Sequence, residues 1–239
     1  MTIRRLLCAV LAIALMSCSK SSPQPATNAA APASAPPASA ENSDAPAPLL
    51  SAGLVEGRDY DLVADGAPFD TPAGQVEVVE FFNYACPACN SFEPKLAEWR
   101  RSLPGYVHVV YLALDFRPDF VPYARAYFAA EALGVAEKAH EAVYQAIHQT
   151  HTLPGEGTPA DADTIAKFYA QFGAKPNEFR KTMEGAAVTA KVDAARAFAQ
   201  RSGVHSTPSL LIGGKYLVKG QSWDEVFQNA NQLIAKARG

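Results

Sequence analysis

The chain has 239 residues, of which 49% are apolar and 19% charged, the balance of a soluble globular protein. Its net charge of -3 provides no basic surface for nucleic acid, so partner docking is expected to be apolar or through main chain. Of the four cysteines, Cys8 and Cys18 lie near the start, and only Cys86 and Cys89 stand in the part patterned to fold. Two cysteines cannot build a zinc ribbon. His148 and His151 lie too far from Cys89 to complete a compact finger, so no metal is expected.

Residues 1–17 read as an export signal, with Arg4 and Arg5 ahead of the apolar stretch 6–16, which is short for a bilayer span. Its end, Leu15-Met16-Ser17-Cys18, resembles a bacterial lipobox, in which cleavage leaves a lipid on the cysteine; Met16 departs from the commoner small residue. The other reading is an ordinary cleaved signal with Cys18 beside the cut. Either takes the protein to a compartment where disulfides form and persist, the periplasm, with membrane contact only through the lipid. Residues 18–52 are rich in Ala, Pro and Ser and almost lack large apolar groups, so burial cannot offset their chain entropy. They are expected to form a disordered tether reaching on the order of 100 Å at ~3.1 Å per residue.

Folding patterns begin near residue 53. Residues 60–63 predict a short edge strand and 75–82 the clearest strand, β-branched and aromatic at its centre. Cys86-Pro87-Ala88-Cys89 follows, then a helix over 90–102 that contains Pro94 and should kink there, where one backbone bond is lost. Residues 106–112 predict a second core strand, which makes a βαβ unit with a parallel pair. Helix formers then dominate, with helices expected over 120–133, 136–148, 163–172, 176–183 and 186–202. Tyr123, Tyr127 and Phe128 read as core packing. Strands return at 208–212 and 215–218 around the two-residue turn Gly213-Gly214, and a helix over 223–237 closes the chain. The fold class expected is α/β. A thioredoxin-like mixed sheet flanked by helices, from residues 53–117 and 203–239, is interrupted by a helical insert over 118–202.

A Cys-x-x-Cys at a strand-to-helix turn is characteristically a redox device. The helix N-terminus offers unpaired N–H groups and the positive end of the macrodipole, which favour an anion on the first sulfur. That makes Cys86 the expected nucleophile, with Cys89 one turn inside and near enough to close a disulfide. Glu80 lies six residues before Cys86 within an apolar strand, where a charge is costly unless partnered or protonated.

Three segments in order resemble the DsbA family of extracytoplasmic thiol–disulfide oxidoreductases. They are Glu80-Phe81-Phe82-Asn83-Tyr84-Ala85-Cys86-Pro87-Ala88-Cys89, the helical insert, and Gly203-Val204-His205-Ser206-Thr207-Pro208. The resemblance spans about residues 54–239. It implies a cis Thr207–Pro208 bond packed beside the cysteines, exposing the Thr207 backbone to bind a substrate chain as an added strand. It also implies that Glu80 sits beneath Cys89 with a raised pKa and moves its proton. Pro87 and Ala88, between the cysteines, would border the bound substrate. Two residues depart from the family's strong oxidants. Ala88 replaces a His that stabilises the thiolate, so Cys86 is expected to be less acidic and the pair less oxidising; Thr207 stands where those oxidants tend to have Val and resembles the isomerases of the same pathway. His205, three residues before Pro208, is a candidate to approach the Cys86 sulfur in place of the missing His.

The implied reaction is dithiol oxidation in reduced or misoxidised exported proteins, carried by the Cys86–Cys89 pair with no other cofactor. A DsbB-like quinone-coupled membrane protein would reoxidise the pair, and the chain would act as a monomer. An isomerase or reductase of the same pathway is the alternative within the enzyme class. A chaperone-like binding module with an incidental disulfide is the alternative outside it.

Overall fold

The computed structural model describes residues 53–239; the signal segment, Cys18 and the whole of the tether lie outside the described residues. A fully buried strand organises the rest. β2 (Val76–Phe82) has all seven residues buried, which is why the run reads as continuously apolar and not as an alternation. It pairs in parallel with β3 (Val107–Ala113), Val76 opposite Val107 through Phe82 opposite Ala113. On its other side lies β4 (Ser209–Ile212), antiparallel, followed by β5 (Tyr216–Val218) and the edge strand β1 (Tyr60–Leu62). The order is β1-β5-β4-β2-β3, a mixed five-stranded thioredoxin-like sheet. The β4–β5 turn uses Gly213 and Gly214 at φ 58 and 70, the left-handed values a two-residue hairpin of this kind requires.

The two faces of β2 serve two cores. Val76 and Val78 pack with Leu210 and Ile212 against α1 (Pro87–Ser102) and α7 (Trp223–Arg238), through Phe92, Leu96, Phe227 and Leu233. Val79 and Phe81 face the other way, where Phe81 stacks on Phe198 at 5.7 Å between ring centroids. Phe198 belongs to α6 (Ala186–Arg201), one of five α-helices between β3 and β4. The others are α2 (Val121–Ala132), α3 (Ala136–His148), α4 (Ala162–Tyr169) and α5 (Pro176–Glu184). A 3-10 turn over Ala170–Phe172 ends what the sequence reads as one helix over 163–172, and Gly173 closes it at φ 96. α1 starts earlier than the expected residue 90, at Pro87, because proline's fixed φ and missing N–H suit a first helical position. It runs as one element through Pro94.

Candidate active site

Interior strand β2 delivers the chain to its C-terminal end, and the segment 83–86 turns there into α1. Asn83 fixes this turn from inside. Its amide donates to the carbonyls of Leu114 (2.7 Å) and Phe120 (3.0 Å), and its carbonyl accepts from the Ala85 N–H at 2.9 Å. Tyr84 is held at both ends by α3. His148 Nε2 donates to its carbonyl at 2.7 Å, and its hydroxyl lies 2.8 Å from His140 Nδ1. Cys86 is therefore the cap residue of a helix whose approach is clamped by side chains from the insert.

Cys86 is extended at φ -81, ψ 118, with Pro87 following at the first helical position. Its sulfur stands beside the open N–H groups of the helix's first turn. Cys89 is fully buried, and both cysteines are free thiols in this structure. Across the turn the Thr207–Pro208 peptide is cis, as the resemblance implied, and the Cys86 thiol donates to the Thr207 carbonyl at 3.5 Å. The two sulfurs have opposite acidities. A hydrogen bond from Cys89 pulls the Cys86 thiol down to about 5, against the effect of burial. The Thr207 side chain and the N–H groups of Cys89 and Ala88 add to the lowering. Burial, and then the Cys86 sulfur, push the Cys89 thiol up.

β2 carries two buried glutamates, and only one is satisfied. Glu77 accepts from the N–H groups of Phe69 (2.8 Å) and Asp70 (2.9 Å) and from the Thr71 hydroxyl (2.7 Å). Glu80 shares the strand face of Val78, toward α1, and neither of its carboxylate oxygens has a hydrogen-bond partner. Burial, then the charge of Glu93 on α1, raise its pKa well above the usual carboxylate range. Glu80 is also one of the charges that raise Cys89. Glu80 is thus a buried carboxyl held toward its neutral form and felt by the Cys89 thiol.

A thioredoxin family profile matches residues 71–230. The DsbA thiol:disulfide interchange protein of Burkholderia cepacia is 30% identical over 176 residues, covering 70% of this chain and 80% of that one. The crystal structure of the DsbA oxidoreductase from Xylella fastidiosa superposes with a TM-score of 0.74 at 36% identity, over 77% of this chain and 98% of that one. The Pseudomonas aeruginosa DsbA structure gives 0.68 at 30% identity, over 76% and 93%.

The chain belongs to the DsbA family. It is a thiol:disulfide oxidoreductase, and the geometry shows where this DsbA-family chain differs from what its sequence suggests. Pro87 and Ala88 are exposed beside the sulfur, and Thr207 and Pro208 are half-buried on its other side. His205 is exposed and makes no hydrogen bond among the described residues; the groups that hold the Cys86 sulfur are Thr207, Cys89 and backbone N–H. Sequence reasoning also passed over Asn83, His140 and His148. Asn83 has a signal that could have been read, since a buried amide directly before a turn needs several partners. The two histidines stand eight apart on a helix read only as part of the insert, and nothing in the sequence tells which turn they reach.

Proposed function

We propose that this protein is an oxidase that introduces disulfides into exported proteins, with Cys86–Cys89 as its redox pair and no further cofactor. The observation that carries the reading is the opposite acidity of the two sulfurs. A Cys86 thiol at about 5 is overwhelmingly thiolate at neutral pH, which makes it a good leaving group and favours the reduced pair. A substrate thiolate attacks Cys86 Sγ and breaks the Cys86–Cys89 bond. Cys89 leaves and takes the proton of Glu80. A second substrate thiolate then attacks the substrate sulfur bound to Cys86, and Cys86 departs as a thiolate. The substrate dithiol is oxidised by two electrons and the enzyme disulfide reduced.

The substrate chain lies along the Thr207 backbone beside Pro208, with Pro87 and Ala88 forming the other rim. The Thr207 carbonyl already faces the Cys86 sulfur, which suits main-chain recognition. The signal read over 1–17 and the tether support a periplasmic site of action, with the protein anchored through a lipid on Cys18. A DsbB-like quinone-coupled membrane protein restores the disulfide. The test is the redox state of Cys86 and Cys89 in the cell, by trapping thiols with an alkylating reagent. A mostly oxidised pair supports the oxidase; a mostly reduced pair refutes it in favour of the isomerase or reductase that Thr207 would suit. A Cys86→Ser variant that still oxidises substrates would rule out the mechanism.

A further inference from the structure

The peptide between Tyr84 and Ala85 lies in a turn, outside any helix or sheet ladder, and both residues are fully buried. Its polar groups must therefore be met some other way. Side chains take both. Asn83 Oδ1 accepts from the Ala85 N–H at 2.9 Å, and His148 Nε2 meets the Tyr84 carbonyl at 2.7 Å. Among the described residues that carbonyl has no other donor. A carbonyl can only accept, so Nε2 carries the hydrogen. Asn83 belongs to the turn itself, whereas His148 ends α3, 64 residues further along the chain. The imidazole is held from the side as well. Its ring stacks on Tyr144 with centroids 6.1 Å apart, and Tyr144 meets the Tyr84 ring edge-on at 5.1 Å. His140, two turns earlier on α3, meets the Tyr84 hydroxyl at 2.8 Å, which orients the ring and not the peptide.

We propose that His148 is a positioning residue of the exchange reaction: its bond to the Tyr84 carbonyl fixes the turn from which Cys86 enters α1, and so fixes where the Cys86 sulfur stands. The peptide it holds lies directly ahead of the nucleophile. On either side of Cys86 the backbone is bonded too, its N–H to the Asn83 carbonyl and its carbonyl to the Asn90 N–H, both at 3.1 Å. The thiol then reaches across to the Thr207 carbonyl at 3.5 Å. The groups that favour the thiolate are Cys89, Thr207 and the first N–H groups of α1, and hydrogen bonds to them weaken steeply as alignment is lost. Without the imidazole the Tyr84 carbonyl is left buried and unpaired, and the Tyr84–Ala85 peptide gains by rotating toward another donor. That rotation swings Cys86 against Thr207 and α1. The inserted helix α3 thus reaches the chemistry of a site otherwise built on the sheet. The inference concerns the sulfur in either direction of exchange, so it does not depend on the oxidase reading.

The test compares the full-length chain with His148→Ala, His148→Phe and His148→Gln. Thiolate absorbance against pH gives the Cys86 titration, and equilibration with glutathione gives the balance of oxidised and reduced pair. His148→Ala removes the donor. It should raise the Cys86 pKa from about 5 by about one unit, and so move the glutathione equilibrium about tenfold toward the oxidised pair at neutral pH. His148→Phe keeps a ring beside Tyr144 without a donor and should do the same. His148→Gln carries an amide able to donate to the same carbonyl and should restore most of both readouts. Parent-like titration and equilibrium in the Ala and Phe variants, whatever their urea midpoints, would overturn the inference and leave the bond a purely structural one. A Gln variant as perturbed as the other two would overturn it as well, since donation to Tyr84 would then not be the property that matters. Should His148→Ala fail to fold, the Phe and Gln variants decide between them. A mostly reduced pair in the cell would refute the oxidase reading and leave this inference untouched.

Discussion

Changing the pH should reveal the proton count of the redox pair, and the acidity of Cys86 sets where that count changes. With Cys86 ionising at about 5 and Cys89 well above its ordinary value, reduction at neutral pH takes up two electrons and one proton. The potential should then fall by about 30 mV per pH unit above pH 5, and by about 59 mV per unit below it, where both sulfurs are protonated. The ordinary thiol value of 9.0 would put that change of slope far higher. Between pH 5 and 7 two units of stabilisation accrue to the reduced form, about 2.7 kcal/mol or some 60 mV toward the oxidising side. The sign follows from a folded-state pKa below the unfolded one: the reduced protein has its full thiolate stabilisation above the ordinary thiol value and loses it as the pH falls through about 5. Equilibration against dithiothreitol or glutathione couples from pH 4 to 8, read by alkylation, gives the potentials. Thiolate absorbance gives the Cys86 titration independently. A single slope of about 59 mV per unit through pH 7 would refute the reasoning. Glu80→Gln should leave the change of slope near pH 5, because that change belongs to Cys86.

Thr207→Val removes a hydroxyl that helps hold the thiolate. It should raise the Cys86 pKa by about one unit, as expected for one hydrogen bond to a charged group worth ~1.5–3 kcal/mol partly replaced by water, and shift the potential by roughly 30 mV in the reducing direction; thiolate absorbance and glutathione equilibration measure both. Glu80→Gln should raise the stability of the protein at pH 8 by on the order of 1–3 kcal/mol, since an unpartnered carboxyl must stay protonated when folded but ionises when unfolded. Its advantage should shrink toward pH 4, because a raised folded pKa penalises folding only above the unfolded value; urea midpoints at the two pH values test this. Phe198→Ala should cost about 3–5 kcal/mol, read as a fall in urea midpoint at unchanged slope, because its ring is buried between Phe81 and Phe69 at 5.7 and 5.0 Å.

Much of the scaffold is legible because its elements carry local signals. The run 75–82 is β-branched and aromatic, Gly213-Gly214 can sit at positive φ, and the helix starting at Ala136 ends at His148 as its pattern predicts. Boundaries slipped where local chemistry and pattern disagree. Pro87 extends α1 into the cysteine motif, and the 3-10 turn at Ala170–Phe172 tightens a helix end that periodicity cannot mark. The site was legible only along the chain. Cys86, Cys89, Glu80 and Pro208 are tied by fixed offsets to a turn and a strand. His140 and His148 reach the same turn through tertiary packing of α3, and no offset encodes that. Glu77 and Glu80 look alike in sequence, two acids in one apolar strand. Only the hydrogen bonds from Phe69, Asp70 and Thr71 make one a structural anchor and leave the other free to exchange a proton.

Ala88 is where the sequence argues most directly against a strong oxidant, since it cannot place a cation beside the Cys86 sulfur. The structure supplies the stabilisation in another form. The groups that lower the Cys86 thiol to about 5 are hydrogen-bond donors, Cys89, Thr207 and the N–H of Ala88 itself, and none is a charged side chain. The backbone donors belong to the helix start, so any residue following Pro87 provides one. Thr207 therefore has two bearings on the direction of catalysis: it makes the site resemble isomerases in sequence, yet its side chain supports the thiolate on which an oxidase depends. The acidity of Cys86 is thus spread over the turn and the cis-proline segment together, and is not set by the two residues between the cysteines. That is why inspection of Pro87-Ala88 alone misses most of the groups that act on the Cys86 sulfur.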